Sequence, residues 1–521
     1  MVAVRSPAAK RTAANHTAAN RATASRMAQR AARHAASHRR PAGNDIPSAS
    51  AADAASADDL SSDGLSGAPA RTAALVDWTD IVLYLALFTL PADGIRLGPL
   101  MTYWTPISPW LFLLYALLNC RRCPATFRRF MPFFVFAAIL LAVSVVNWLT
   151  VGFNPSGTFM TLSGIITALA CLMALDIAFH GKHVSWQTAL TVVIIAYWIA
   201  FAVGVGQYLT DMNHWELPKL WNFEGLLFPR QYFVVRPQFL FAEPSYIGMH
   251  LFGVLLPLYW LTRRRSLAVL ICTFAAGSIL MKTGSRIMLD TLVAAVLCFI
   301  VMFDFRKNRA KTIAVCGTGL VAVVAGCTWV ATRPRFRSVL SQGLLNGDFS
   351  TNSRMFHIID PLLAGLNNIP HLLFGFGAGN LTSVLREGYA PAAAWTQAHG
   401  GSVNSEIESI GKLPDTPDPW LPPTTQAFTM SFFATFIAEF GVLLLAAFLL
   451  LALAWIARHH MWNKQTVCWL ILLAYLYAQF EAYAFYAFWL FIYIIATQRY
   501  GVHTQLSGTV SYTIRRGRTR R

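Results

Sequence analysis

Of 521 residues, 55% are hydrophobic and only 13% charged, the mean hydropathy is +0.47, and the formal net charge is +18. A soluble domain does not sustain that balance over such a length, so the composition excludes a soluble enzyme and indicates an all-α polytopic membrane protein. The excess charge does not indicate a nucleic-acid partner, because the basic residues sit in short clusters between apolar runs and no basic face with interleaved aromatics occurs outside the tails.

Residues 1–70 contain almost no large apolar side chains; the first forty are basic and Asp45–Asp63 is acidic. Such a segment buries too little surface to offset its ordering entropy, so it is expected to be a disordered cytoplasmic arm. The first apolar run, near Leu75, is expected to act as an uncleaved signal anchor. At roughly 20 apolar residues per crossing, about twelve spans follow. They fall near 75–91, 99–119, 130–150, 158–180, 186–209, 244–262, 266–281, 285–303, 312–331, 428–457, 466–481 and 482–498. Residues 71–331 thus hold spans one to nine, 332–427 form one large periplasmic loop before the tenth span, 428–500 hold the last three, and 501–521 are a basic cytoplasmic tail. With the N-terminus in the cytoplasm, the clusters Arg121/Arg122/Arg128/Arg129, Arg263–Arg265, Arg306/Lys307/Arg309/Lys311, Arg458/Lys464 and the arginines from Arg515 onward share one side. That is the positive-inside pattern, and it places both termini in the cytoplasm.

The outer face then holds the 210–243 loop, the turn Lys282–Arg286, the 332–427 loop and a short turn near Glu481. Its arginines are isolated, and topology does not account for them. Arg236, Arg286 and Arg354 stand out, with Arg230 and the run Arg333, Arg335, Arg337. Arg236–His250 joins a polar loop to a span and sets Arg236, Glu243 and Ser245 at the junction, where an ionisable group beside hydrocarbon is costly unless paired or wet. A helix start, with Glu243 at its cap and Pro244 in its first turn, accounts for the same residues equally well. In the large loop, Met355, Ile358, Ile359, Leu362 and Leu363 make one apolar face of a helix over Asn352–Leu366, with Pro361 expected to kink it. Phe374–Asn380, FGFGAGN, follows no strand and reads as a flexible turn rather than a dinucleotide loop. Residues 400–427 read as an exposed loop. The eight cysteines all lie in or beside apolar runs and imply no disulfide framework, and the lone Cys120-Arg-Arg-Cys123 reads as incidental.

Three elements resemble those of the O-antigen polymerase and O-antigen ligase-like superfamily of bacterial inner-membrane proteins. Phe241-Ala-Glu-Pro-Ser245 opens a span, Thr283-Gly-Ser-Arg286 opens another, and Asn352-x-Arg354 precedes Gly375-Phe-Gly-Ala-Gly379 inside the long loop. Their order, sidedness and loop position match over roughly residues 75–500. A His-Asn pair that ligase members have before a Glu-x-Gly is replaced here by Met430-Ser431 ahead of Glu439-Phe-Gly441, which favours the polymerase branch and leaves the general base open.

The resemblance implies transfer of a glycan from undecaprenyl diphosphate to an acceptor hydroxyl on the periplasmic face. Lipid-linked glycans and the bilayer are then the partners, alongside other polysaccharide-assembly proteins. A departing diphosphate asks for guanidinium groups in fixed, bidentate geometry. Arg286 is the first candidate and Arg354 the second, with Arg236, Arg230, Ser245 and Ser285 as substrate-binding residues; an interfacial anchor, or a pair with Asp290, is the alternative for Arg286. Glu243 is the best-placed base, or else the orienting partner of an arginine, and His399 is a second candidate base. No carboxylate group at ligand spacing is evident, so neither a metal nor another cofactor is expected. A transporter of lipid-linked sugars is the competing class; no half-to-half repeat of the kind transporters carry is evident.

Overall fold

The computed structural model describes residues 77–94, 107–212, 236–303, 309–413 and 429–497. All of them lie in one compact unit, Leu75–Arg521. The expectations for the arm 1–70, for Arg230 and for the tail 501–521 concern residues outside this set.

Among the described residues the chain is helical and contains no strand. In chain order the helices are α1 (Trp78–Phe88), α2 (Ile107–Leu118), α3 (Cys123–Val151), α4 (Pro155–Asp176), α5 (Trp186–Gln207), α6 (Pro244–Thr262), α7 (Arg265–Leu280), α8 (Arg286–Met302) and α9 (Arg309–Ala331). Then come α10 (Pro334–Gln342), α11 (Phe349–Asn367), α12 (Ile369–Phe374), α13 (Leu381–Ala398), α14 (Ser405–Ile410), α15 (Phe432–Arg458), α16 (Lys464–Tyr477) and α17 (Tyr486–Thr497). Five helices are long and apolar enough to cross a membrane: Cys120–Val151, Pro155–Gly181, Trp186–Thr210, Pro244–Thr262 and Phe432–Arg458. A sixth arises if Cys316–Ala331 and Pro334–Gln342 are taken together across their 85° bend. The other segments read as spans are shorter helices; the run after Lys464, for example, divides into 14 and 12 residues around a non-helical stretch at 478–485.

Local chemistry explains where the helices start and bend. Asp77, Asn154, Ser185 and Asn463 cap α1, α4, α5 and α16 with side-chain oxygens. Helix α3 kinks at Phe130, two residues before Pro132. In α6 a π-helical turn at Leu251–Leu255 precedes Pro257, whose missing N–H the wider turn accommodates. Helix α15 breaks at Gly441, where φ is 80°.

The core surrounds α17, whose Leu490–Ala496 are buried on every side, as expected of a helix apolar all round. By contrast α3 exposes Val135, Ile139, Val145, Val146 and Leu149, a face suited to hydrocarbon. Polar cross-links fix the helices at one end. Lys182 pairs with Asp77 (2.7 Å) and Asp80, while Arg129 pairs with Asp176, which also accepts from Thr126 (2.7 Å).

Helix α11 runs from Phe349 to Asn367 and includes Pro361. One expectation for the large loop changes. The glycine-rich turn is buried and locked. Gly375, Gly377 and Gly379 all have positive φ, between 74° and 90°. The turn lies against the α15 break: Phe376 N–H donates to the Ala438 carbonyl (3.0 Å) and Gly377 N–H to the Glu439 carbonyl (2.9 Å). From α3 and α4, Asn147, Ser144, Trp148 and Thr158 bond the turn's backbone at 2.9–3.1 Å. The Glu439 carboxylate accepts from Gly379 N–H (2.9 Å), Thr161 (2.6 Å) and Tyr483 (2.7 Å), so its burial is fully compensated. Composition suggested mobility because glycine and polar turn residues usually mean solvent. Here glycine is used for close backbone approach instead.

Candidate functional site

The turn Lys282–Arg286 closes α7 and opens α8. Lys282 takes a left-handed φ of 56°, and Thr283 bonds the Ser278 carbonyl through both its N–H and its hydroxyl (3.1 Å each). Arg286 is thereby the first residue of α8, where a cation is disfavoured by the helix dipole. Its position therefore needs another reason. One Nη2 hydrogen bond goes to the Gln479 carbonyl (3.1 Å), and Nε stands 3.7 Å from Asp290 Oδ2, too far for a hydrogen bond. Asp290 Oδ1 accepts from Tyr475 OH at 2.7 Å, while Oδ2, packed against Gly248, makes no hydrogen bond and meets Arg286 only as a charge pair. Arg286 Nε and Nη1 are consequently buried without an acceptor.

Other basic side chains gather around it. Arg335, at the start of α10, donates to Ser285 Oγ (3.5 Å) and pairs with Asp348 (2.8 Å). The Arg236 guanidinium packs over Gly284, its Nη1 being 3.4 Å from where a Cβ would stand. Arg354, near the start of α11, also has a buried Nε without an acceptor. Burial first, then the neighbouring Arg286 charge, pulls Arg354 down to about 10, against the raising influence of Tyr246 and Glu243. It still carries its charge at neutral pH, as arginine does in proteins. Two helix starts and their arginines thus converge on one place, a combination disfavoured on its own and favourable for an anion.

Beside this group lies the turn Glu243–Tyr246. Glu243 is extended (φ −145°, ψ 151°) at the start of α6, and its carboxylate makes no capping bond. It accepts instead from Ser245 Oγ at 2.9 Å. The structure therefore brings together Arg236, Glu243, Ser245, Ser285, Arg286 and Arg354, and it adds Arg335. That residue meets the same criterion, an arginine outside the dense basic clusters. Among the described residues no hydrogen bond joins His399 to this group. It is exposed, stacks on Trp395 (4.0 Å) and bonds that residue's carbonyl (2.8 Å) at the end of α13. Arg230 lies outside the described residues. Among the described residues no group of three His, Cys, Asp or Glu side chains is arranged to hold a metal ion.

Below Arg354 the same helix buries two more ionisable groups. His357 bonds the Ser353 carbonyl (2.6 Å), and burial pushes its imidazole down to about 4 from 6.5. Folding therefore excludes a proton; this contribution is complete above about pH 6.5 and is lost as pH falls toward 4, by about 3 kcal/mol at most. Asp360 behaves oppositely. Both its oxygens are buried without a partner against Gly388, and burial raises its pKa, so stability is lost as pH rises through the folded value. Thermal unfolding followed against pH is expected to show His357→Gln flattening the loss on acidification and Asp360→Asn flattening the loss as pH rises above the ordinary carboxylate range.

No family model matches the chain, and no curated protein is significantly similar to it.

Proposed function

We propose that this protein is a membrane glycosyltransferase of the O-antigen or exopolysaccharide polymerase kind, joining oligosaccharide units carried on undecaprenyl diphosphate at the periplasmic face of a bacterial inner membrane. The observation that carries this reading is the convergence of Arg286 and Arg354, each with buried guanidinium N–H groups lacking an acceptor, beside the Glu243–Ser245 turn. Unsatisfied buried donors are costly, and a diphosphate is the acceptor whose oxygens suit two guanidinium forks. In this reading the bond between the sugar anomeric carbon and the diphosphate oxygen breaks as the acceptor hydroxyl bonds to that carbon. The hydroxyl proton passes to Glu243, and the arginines take up the charge that develops on the leaving diphosphate. Arg335 and Arg236 extend the same basic surface, and Ser245 holds the Glu243 carboxylate. The reading includes about twelve spans, both termini in the cytoplasm and residues 332–427 outside.

The test is a metal-free assay with purified protein in detergent and a lipid-linked oligosaccharide fraction from the source bacterium. A ladder of longer lipid-linked glycans is expected. Glu243→Gln should lower kcat by about 10²- to 10⁴-fold if Glu243 takes the proton; a change below about threefold would remove it from that role. A single transfer to a non-repeating acceptor without a ladder would indicate a ligase. Movement of intact substrate across a liposome wall, again without a ladder, would indicate a transporter.

A further inference from the structure

The loop before Glu243 is held by buried polar side chains from distant helices. Gln207, at the end of α5, accepts from the N–H groups of Gln238 (3.0 Å) and Phe239 (2.8 Å) and donates to the Phe239 carbonyl (3.0 Å). Phe239 is in a left-handed conformation, φ 59°, unusual for an aromatic residue and persistent only where the surroundings over-determine it. Asp93, after the end of α1, does the next part. Its Oδ1 accepts from Ala242 N–H at 2.8 Å, directly before Glu243, while its Oδ2 lies 2.8 Å from His250 Nε2, in the helix after it. His250 Nδ1 is in turn 2.9 Å from Tyr197 OH on α5. With the Nε2–H tautomer that this arrangement assigns, every polar atom in the chain has a partner. Asp93, Tyr197 and His250 are all buried, and the imidazole is stacked on Phe241 (4.5 Å) and edged by Phe485 (5.3 Å).

One carboxylate therefore bridges the residue just before Glu243 and a residue one helical turn beyond Ser245, bracketing the Glu-Pro-Ser turn from both sides. Helix stability does not require this, because α6 already starts on Pro244. We propose that Asp93, supported by His250 and Tyr197, is a positioning residue of the site, holding the Glu243 carboxylate in register with the arginine group. The proposal rests on the transferase reading for its consequence, and on hydrogen bonds alone for the bracket itself.

A double-mutant cycle tests it, with kcat and KM measured in the ladder assay and hydrogen–deuterium exchange measured on peptides covering 236–250. Asp93→Ala should lower kcat about 10²-fold with KM changed less than about threefold, the scale expected when a reacting group is misplaced by about 1 Å. Asp93→Asn keeps an oxygen for Ala242 N–H and should restore kcat to within about tenfold of wild type. In a Glu243→Gln background, Asp93→Ala should cost less than about threefold more. Equal loss in both backgrounds, or an Asp93→Asn protein as impaired as Asp93→Ala, would overturn the proposal. Tyr197→Phe, which keeps the ring and removes only the hydroxyl, serves if Asp93→Ala does not fold. It should lower kcat about three- to tenfold, and no change in either kcat or exchange would count against the bracket. If wild-type protein forms no ladder, the transferase reading fails; faster exchange over 236–250 in Asp93→Ala would still establish the bracket, and unchanged exchange would remove it too.

Discussion

Arg286→Ala and Arg286→Lys should both abolish ladder formation while the protein still folds and inserts. Losing one preorganised donor to a developing anion costs about 10²- to 10³-fold in kcat, and Arg286 offers two such donors, Nε and Nη1, neither hydrogen-bonded within the protein. Its Nη2 bond to Gln479 O and its loose 3.7 Å approach to Asp290 orient the fork without consuming it. Lysine keeps the charge and loses the planar pair of N–H groups, so a large deficit in Arg286→Lys would show that bidentate geometry matters. Stability should change little, because a cation at the first position of α8 opposes the helix dipole and its removal relieves that. A normal ladder from Arg286→Lys would reduce the requirement to charge alone. A collapse in folded yield from both variants would make Arg286 the structural partner of Asp290 instead.

The second large effect concerns folding. Gly375→Ala or Gly441→Ala should prevent the loop from seating on α15. Each glycine has positive φ, 74° and 80°, and each new methyl would stand 2.3 Å from the other strand of backbone, the Glu439 carbonyl group for one and the Leu373 carbonyl group for the other. Backbone cannot swing aside as a flexible side chain would. Left-handed strain of about 1–2 kcal/mol and overpacking of about 1–3 kcal/mol act together, a sum comparable with much of a domain's stability. Gly343→Ala is the control, since its φ is also positive, 81°, but nothing lies within 4 Å of the new methyl. Tm and the yield of monodisperse protein should fall sharply for the first two and by only the strain for the third. Equal losses in all three would show that backbone strain alone matters there. Because α11 leads through α12 into this turn, the locked variants should also misplace Arg354 and reduce transfer.

Some of the site was legible before any fold was known. Arginines outside the dense basic clusters are identifiable from position alone, and Arg286, Arg354, Arg236 and Arg335 are of that kind. The Glu-Pro-Ser junction was legible for the same reason, a charge set beside hydrocarbon. The bracket of Asp93, His250 and Tyr197 is invisible in the sequence, since its residues are far apart, with Tyr197 and His250 isolated in apolar runs and Asp93 in a turn.

What the sequence determined by itself is the all-α character, the apolar helices and the chemical types available at the turns between them. Those follow from hydropathy, helix length and capping residues, which act over a few residues at a time. Tertiary structure alone decided which arginines meet, that Asp290 answers Tyr475 more closely than Arg286, and that the glycine-rich turn is a buried lock. Such outcomes depend on contacts across more than a hundred residues, as in Arg286 with Gln479 or Thr158 with Ala378. Local pattern does not encode them, because a buried polar group takes whichever partner the packing of distant helices brings within reach.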